Sequence, residues 1–504
     1  MRVAIRVDAS VQIGTGHFMR CLTLADALKA RGAEVCFVSR HLPDHLRAML
    51  DARPHGFKLL ETTTEDVELG KLDHSAWLGV SQARDAMDTL EALFGDGWDW
   101  LVVDHYALDI HWESVLRPVV GRIFVIDDIA NRQHDCDLLL DQNVYPDKQS
   151  RYLGKVPEKC RQLLGPRYAL LREEFSILRQ HLSLRQGPVN RLLVFFGGMD
   201  VDDHTSLALQ TLAKIGLPVM RVDVVIGIQH PARAQIEAMC LEHGYCCHVQ
   251  TNRMAELMAS ADLSIGAGGA TLWELCSLGL PTIAFATAEN QLDQIRGAAS
   301  EGLLYAPDSK PGFAQAIALH LPALLDNGEL RSLVSRNGMQ AVDGKGALRV
   351  ASMMGCAGLV LRMARPEDSE AVFAWRNHLS IREVSRSPAP IPWDNHKVWF
   401  SEVLNNHNRL LLIAEMDAVP VGVVRFDIQD AKAEISLYLV PGQPGAASGR
   451  DLLQSAEAWL ARNRLDVEIL HAHVMGANGR SVGLFQRAGY GVESIFYVKK
   501  LNPI

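Results

Sequence analysis

Among the nine cysteines of this 504-residue chain there is no CxxC pair, and the adjacent Cys246 and Cys247 have the wrong spacing for a zinc knuckle. The pattern argues against a disulfide-built secreted scaffold or a cysteine metal site, and reads as reduced thiols in cytosolic cores. No uninterrupted apolar run reaches the length of a membrane span, and the first residues, MRVAIRVDAS, alternate like a strand instead of forming a basic and then apolar leader. There is no excess of positive charge either: 50 Lys and Arg stand against 59 Asp and Glu, a formal net charge of −9. That balance argues against a protein built to coat nucleic acid or an anionic membrane. The expectation is a soluble, cytoplasmic protein with small-molecule partners, without nucleic-acid or membrane partners; its oligomeric state cannot be read from the sequence.

What is present is enough apolar residue, 48%, with 22% charged, to bury several cores and to exclude wholesale disorder. At roughly 100 to 200 residues per domain the length implies about three. Residues 1–160 repeat strand, loop and helix: RVAIRV, a helix over 17–31, then EVCFVS, DWLVVDH, RIFVIDD and DLLLD. Short apolar runs alternating with helical periodicity predict a parallel sheet covered on both faces. Residues 161–346 repeat the plan through RLLVFFGG, RVDVVIG, a short strand at 248–250, DLSIGAGG and PTIAFA. Two doubly wound domains leave a cleft lined by the carboxyl ends of both sheets. A stretch of small residues, 347–358, reads as a linker. Residues 359–504 then give antiparallel strands followed by alternating helices and strands, ending in VESIFYVKK, an α+β domain.

The loop DASVQIGTG, residues 8–16, joins the first strand to the first helix, and Gly14 and Gly16 would let its backbone approach a ligand. A dinucleotide fingerprint would place another glycine where Met19 stands, which disfavours a nicotinamide enzyme. His17 opens the helix, where the positive end of the helix dipole keeps an imidazole neutral and able to accept a proton, as a general base requires. Capping or packing at a helix end is its plainer alternative. Asp104, His105 and Tyr106 end one strand and Asp127 and Asp128 another; Tyr106 could touch substrate, and the aspartates fit a strand-end hydrogen bond as well as chemistry.

The segment GAGGATLWELCSLGLPTIAF, residues 266–285, runs a strand into a glycine turn and a helix start whose free amides suit a phosphate. Gly268, Gly269, Ala270 and Thr271 form the turn. Glu274 lies one helical turn on, placed to accept from ribose hydroxyls, while Trp273 and Leu275 read as core. AENQ adds Asn290 and Gln291 on the next loop.

Taken together, RVDASVQIGTGHFMRCLTLA, VVDHYAL, GAGGATLWELCSLGLPTI and AENQ make residues 1–346 resemble the GT-B superfamily that includes the MurG-type glycosyltransferases, and within it the UDP-sugar hydrolases of pseudaminic acid biosynthesis. The resemblance implies UDP on the 266–271 turn with Glu274 on its ribose, His17 activating water, and Tyr106, Asn290 and Gln291 in the sugar pocket. It implies inverting, metal-independent cleavage at the anomeric carbon. A nucleoside diphosphate leaves readily, so one base and a phosphate cradle can suffice where ordinary glycosidases need two carboxyl groups.

In the last domain, AEISLYLVPGQPGAASGRDLLQSAEAWL orders a strand, a small-residue loop and a helix, again a pyrophosphate cradle. With Asn478, Ser481 and LFQRAGY, it resembles the GNAT N-acetyltransferases over residues 359–500, which implies acetyl-CoA as co-substrate, held by Gly445, Ser448, Gly449, Arg450, Asn478 and Ser481. Pro444 and Ala447 occupy two positions of the usual loop pattern, leaving Gly449 in the third, and Phe485 stands where a tyrosine often serves as acid; Tyr490, Tyr438 or water would take that part. Glu434 on AEISLYL is the first choice of base, against the alternative of a solvent-facing strand residue. Trp375, Arg376, Trp393 and Trp399 either wall a nucleotide-sugar pocket or pack a core. By resemblance the two halves perform successive steps: acetylation of a UDP-linked 4-amino sugar, then hydrolysis of the diacetamido product. A UDP-sugar glycosyltransferase, a 2-epimerase, and a regulatory CoA-binding module remain as alternatives.

Overall fold

The computed structural model describes residues 1–10, 12–62, 70, 72–145, 147, 150–198, 200–216, 220–307, 312–356, 359–385, 387–416, 419–442, 449–475 and 478–493. The chain divides into two compact units, Met1–Cys356 and Ala357–Ile504. The first unit holds two parallel sheets. One contains β1 (Arg2–Val7), β2 (Glu34–Ser39), β3 (Gly56–Leu59), β4 (Trp98–Asp104), β5 (Val120–Ile126), β6 (Leu138–Asp141) and β7 (Arg161–Leu164), in the order β3-β2-β1-β4-β5-β6-β7. The other contains β8 (Arg191–Phe195), β9 (Arg221–Ile226), β10 (Cys246–Val249), β11 (Leu263–Ala267) and β12 (Thr282–Phe285), in the order β10-β9-β8-β11-β12.

The central strands are buried on both faces because their sequences are apolar without alternation, as parallel sheets require. Arg6 is the exception inside β1. It is fully buried, and its guanidinium donates to Asp8 at 2.7 and 2.9 Å and to Asp85 at 2.7 and 3.1 Å, which compensates the burial of its charge. Asp8 also accepts the Arg40 N–H at 2.7 Å, tying the end of β1 to the end of β2 just below the 8–16 loop. In both sheets the strand order reverses beside the first strand of the domain, between β1 and β4 and between β8 and β11, the place where this architecture opens a crevice.

Two sequence boundaries move. β7 pairs with β6 in the first sheet, so the first domain runs past residue 160 through Leu164. Residues 346–353, most of which read as linker, form the helix Gly346–Met353, and Ala347, Val350, Ala351, Met354 and Cys356 pack into the core beneath β1. The small residues lie there because this helix packs closely on α1 (Gly16–Lys29), where large side chains would hold the two backbones apart.

The second unit is a five-stranded sheet of β13 (Val360–Met363), β14 (Arg409–Met416), β15 (Val419–Gln429), β16 (Lys432–Leu439) and β17 (Ile469–His471) in that order, antiparallel except for β16 and β17. One face carries the helix Gly449–Asn463 through Leu452, Leu453, Ala456 and Leu460; the other packs the helices Ser369–Asn377 and Trp393–Leu404 through Val372, Phe400 and Val403. The parallel pairing ends at Glu434 opposite His471, while β16 continues to Leu439. Most of the final strand expected from VESIFYVKK lies outside the described residues from 494 on.

Candidate active sites

In the first unit, α1 begins at Gly16, directly after the loop that carries Gly14 in the left-handed region at φ 76°. His17 and Arg20 stand three residues apart on this helix and therefore on one side of it, facing the end of β4. His17 Nδ1 lies 2.6 Å from Asp104 Oδ1, and Arg20 donates to both oxygens of Asp104 at 2.6 and 2.7 Å. Burial by itself would raise the Asp104 carboxyl, but the Arg20 guanidinium and His17 outweigh it and hold the group well below the usual carboxylate range. An ionised carboxylate only accepts, so the hydrogen of the neutral ring resides on Nδ1 and the lone pair on Nε2. The sequence left Asp104 between strand-end packing and chemistry; its contact with His17 brings it into the site.

Tyr106 follows at the end of β4, with its ring edge-on to His17 at 4.6 Å between centroids and stacked on Trp77 at 5.6 Å. His74 meets both Trp77 and Tyr106, so four rings wall one side of the site. The Tyr106 hydroxyl donates to Asp128, which also accepts from Arg20 at 2.9 Å. Burial pushes this phenol up and the Asp128 carboxylate pushes it further, so it stays protonated. Tyr106 therefore borders the imidazole with its proton committed to Asp128. Trp77, His74 and Arg20 escaped the sequence reading. Only Arg20, one helical turn from His17, had a local signal.

In the second domain the glycine turn lies where expected, with a division of labour the sequence did not show. The Gly268 N–H donates to Phe285 O at 3.1 Å and the Gly269 N–H to Gln294 Oε1 at 2.9 Å. Both amides are thus spent internally. Gly269, at φ 100°, is the position that requires glycine for its backbone. The amides left for a ligand among the described residues are those of Ala270 and Thr271, at the start of the helix Thr271–Ser277. Glu274 lies on that helix with Arg172 3.7 Å away. Its partial burial pushes the carboxyl up to about 7, with Arg172 opposing. Gln291 Oε1 accepts from the Thr287 N–H and hydroxyl at 3.0 and 3.2 Å, leaving its amide NH2 as a donor. Asn290 lies in the same short turn, its side chain outside the described residues.

Asn143, which no motif flagged, and Gln294, which ends the AENQLDQ segment without being singled out there, join the two halves of the cleft. Gln294 Nε2 donates to Gly269 O at 3.1 Å and to Asn143 Oδ1 at 3.0 Å, and Trp273 Nε1 donates to the same Oδ1 at 3.1 Å. Asn143 in turn reaches the Tyr145 hydroxyl at 3.4 Å, and that hydroxyl donates to Asp128 O at 2.8 Å. An unbroken run of polar contacts therefore links the glycine turn to the residue that holds Tyr106 and Arg20. The helix Leu292–Ser300 comes this close because Gly297 has no Cβ; one added there would sit 2.0 Å from Val144 O. Among the described residues Asp200, Asp203 and His230 lie close enough together to hold a cation. Asp200 already accepts from the Thr205 N–H and hydroxyl at 2.8 and 2.6 Å and from the His204 N–H at 3.1 Å, the arrangement of a helix cap.

In the second unit Glu434 stands on β16 with His471 Nε2 3.9 Å away. It shares a sheet face with Tyr438, the face covered by the Ser369–Asn377 and Trp393–Leu404 helices. Trp375 and Trp399 pack there beside Tyr438. Gly449 and Arg450 open the helix Gly449–Asn463, while Gly445 and Ser448, with Pro444 and Ala447, lie outside the described residues. Asn478 caps the helix Gly479–Arg487, its Oδ1 accepting the Ser481 N–H at 3.1 Å. The Tyr490 hydroxyl donates to Glu457 at 2.9 Å, so its proton already has an acceptor. The Tyr438 hydroxyl is pushed up by burial, with Arg376 and Arg425 opposing.

Comparison with known proteins gives the class of each part. Residues 358–491 match the acetyltransferase (GNAT) domain family, and residues 192–299 match the glycosyltransferase family 28 C-terminal domain. The second parallel sheet of the Met1–Cys356 unit thus falls almost entirely within a stretch similar to the glycosyltransferase family 28 C-terminal domain, and the Ala357–Ile504 unit carries a stretch similar to the GNAT acetyltransferase domain. Among particular proteins, the UDP-2,4-diacetamido-2,4,6-trideoxy-β-L-altropyranose hydrolase of Campylobacter jejuni is 27% identical over 215 residues, covering 43% of this chain and 66% of that protein. An uncharacterized protein of Methanocaldococcus jannaschii is 21% identical over 515 residues, covering 97% of this chain and 96% of its own. The crystal structure of MurG from Acinetobacter baumannii, 12% identical, covers 70% of this chain and 99% of that one with a TM-score of 0.49. Among the described residues no helix is long and apolar enough to cross a membrane.

Proposed function

We propose that the chain catalyses two successive steps on one nucleotide sugar: the Ala357–Ile504 unit acetylates the 4-amino group of UDP-4-amino-4,6-dideoxy-N-acetyl-β-L-altrosamine with acetyl-CoA, and the Met1–Cys356 unit hydrolyses the resulting UDP-2,4-diacetamido-2,4,6-trideoxy-β-L-altropyranose. The observation that carries the hydrolytic half is the His17–Asp104 contact of 2.6 Å at the switch point of the first sheet. Similarity to the Campylobacter jejuni hydrolase supports this choice of substrate.

Hydrolysis begins when His17 Nε2 takes a proton from a water molecule as its oxygen attacks the anomeric carbon. Asp104, ionised and pressed against Nδ1, stabilises the imidazolium that forms. The bond from the anomeric carbon to the phosphate oxygen breaks, and UDP leaves toward the Ala270 and Thr271 amides with Glu274 near its ribose. Attack from the side opposite the leaving group inverts the anomeric configuration. In water enriched in oxygen-18 the label is expected in the free sugar; label in UDP would mean attack at phosphorus and would remove His17 from this role.

For acetyl transfer, the amine nitrogen attacks the thioester carbonyl, the carbon–sulfur bond breaks, and the thiolate takes up a proton. Glu434, on the open end of the β16–β17 pair, accepts the amine proton directly or through water. Glu434→Gln is expected to lower the acetylation rate by on the order of 10²-fold and flatten the acidic limb of its pH profile. An unchanged profile would strike Glu434 from the mechanism. Linking the producer and the consumer of the diacetamido intermediate in one chain raises its local concentration at the second step.

A further inference from the structure

Three arginines in the second unit have buried nitrogens with nothing to bond. Arg376 Nη1, Arg382 Nε and Arg425 Nε are each sealed from solvent without a hydrogen-bond partner. Arg376 lies on the helix Ser369–Asn377, Arg382 ends the short helix Leu379–Arg382, and Arg425 stands in the middle of β15. Cross-strand pairing sets Val423 opposite Tyr438, Arg425 opposite Ser436 and Asp427 opposite Glu434, so Arg425 shares its sheet face with the proposed base. The Arg376 helix covers the same face, since its Val372 packs with Val423.

Their compensation is thin. Arg425 has Asp427 at 2.9 Å, but that carboxylate is shared with Arg409 at 2.7 Å. The ionisable groups that act on Arg376 are Tyr438, Arg425 and Arg382, and burial together with the two like charges pulls its guanidinium down from its ordinary value. The three side chains are only partly buried, Arg425 being 35% exposed, but a sealed N–H without an acceptor is costly and buried donors are nearly always satisfied. With Arg425 on this face, the Arg376 helix covering it and Arg382 close enough to act on Arg376, these unmet donors would be satisfied by a multiply charged anion. Guanidinium forks match phosphate oxygens two at a time.

We propose that Arg376, Arg382 and Arg425 form the diphosphate-binding site for a nucleotide-linked amine acceptor. The proposal rests on the reading that this unit acetylates such an amine. Arg425 faces Ser436, two residues along β16 from Glu434, a separation of about 7 Å that is comparable to one pyranose ring. A diphosphate on the arginines would thus leave a sugar amine near Glu434. The phosphates of CoA are the other source of the same chemistry. The helix Gly449–Asn463, whose start is the expected CoA cradle, packs on the opposite face through Leu452 and Leu453, which favours the acceptor.

The test compares the wild-type full chain with Arg376→Gln and the Arg376→Gln/Arg425→Gln double variant, using the UDP-linked amino sugar and the same amino sugar without its nucleotide. An unchanged thermal melt of the Ala357–Ile504 unit, which carries the substitutions, reports that it is folded. The expected result is an acceptor KM raised roughly tenfold or more for the UDP-linked amine, with the KM for acetyl-CoA within about twofold and the nucleotide-free amine unaffected. Arg376→Lys should recover part of the loss. An unchanged acceptor KM, an equal loss with both acceptors, or a rise confined to acetyl-CoA would overturn the proposal. If the wild type acetylates no nucleotide-linked amine, the functional reading fails by itself. The site is then judged by calorimetry with inorganic pyrophosphate: a binding event in the wild type that the double variant lacks supports it, and identical isotherms reject it.

Discussion

Hydrolysis by His17→Ala is expected to fall by on the order of 10²- to 10⁴-fold, the range a positioned general base contributes, while the dissociation constant for UDP stays within about twofold. The split follows from the geometry. His17 belongs to the first sheet's crevice, and the Ala270 and Thr271 amides and Glu274, proposed to hold UDP, belong to the second. Acetylation by the other unit should be untouched. Calorimetry with UDP and a kinetic assay of UDP release check both halves of the statement. Normal turnover at saturation combined with weakened UDP binding would mean that the histidine holds substrate and that another group activates water.

Asp104→Asn should produce a similar loss of turnover with an added cost in stability. The asparagine keeps the shape but removes the charge that fixes the Nδ1 hydrogen and stabilises the imidazolium, and the loss expected is again on the order of 10²- to 10⁴-fold. It also leaves the buried Arg20 with Asp128 as its remaining carboxylate, and breaking one partner out of a buried ion pair costs about 3–5 kcal/mol. Because the Asp104 carboxyl is held below its unfolded value, the stability it confers is present above the ordinary carboxylate pKa and is lost as pH falls toward the native one. Thermal melts of wild type and variant should therefore converge on acidification. Equal melting temperatures at neutral pH, or hydrolysis near the wild-type rate, would contradict the ionised His17–Asp104–Arg20 cluster.

Much of this architecture is written locally. Apolar strands such as RVAIRV and DWLVVDH carry enough β-branched and aromatic character to reveal a parallel sheet, and GAGGATLWEL reveals its turn because glycines before a helix have few other uses. What escaped depends on distance along the chain or on packing. Gln294 and Asn143 are 151 residues apart, and neither has a neighbour in sequence that hints at the other. Trp77 and His74 reach Tyr106 from a segment without a chemical motif. The helix Gly346–Met353 was misread because small residues mark close helix packing as well as linkers. β7, only four residues with two exposed, has too little apolar pattern to be separated from the connection that follows it. On β16 the strand was legible, but the three arginines of the proposed diphosphate site lie on three separate elements, which no single stretch of sequence could connect.

The most direct test of the two-step account is mass spectrometry of the products formed when the purified full chain meets UDP-4-amino-4,6-dideoxy-N-acetyl-β-L-altrosamine with and without acetyl-CoA. Free diacetamido sugar and UDP should appear together when acetyl-CoA is present, and the amino substrate should remain intact when it is withheld. A diacetamido nucleotide sugar that accumulates without cleavage would contradict the hydrolytic half, and the absence of any acetylated product would contradict the acetylating half.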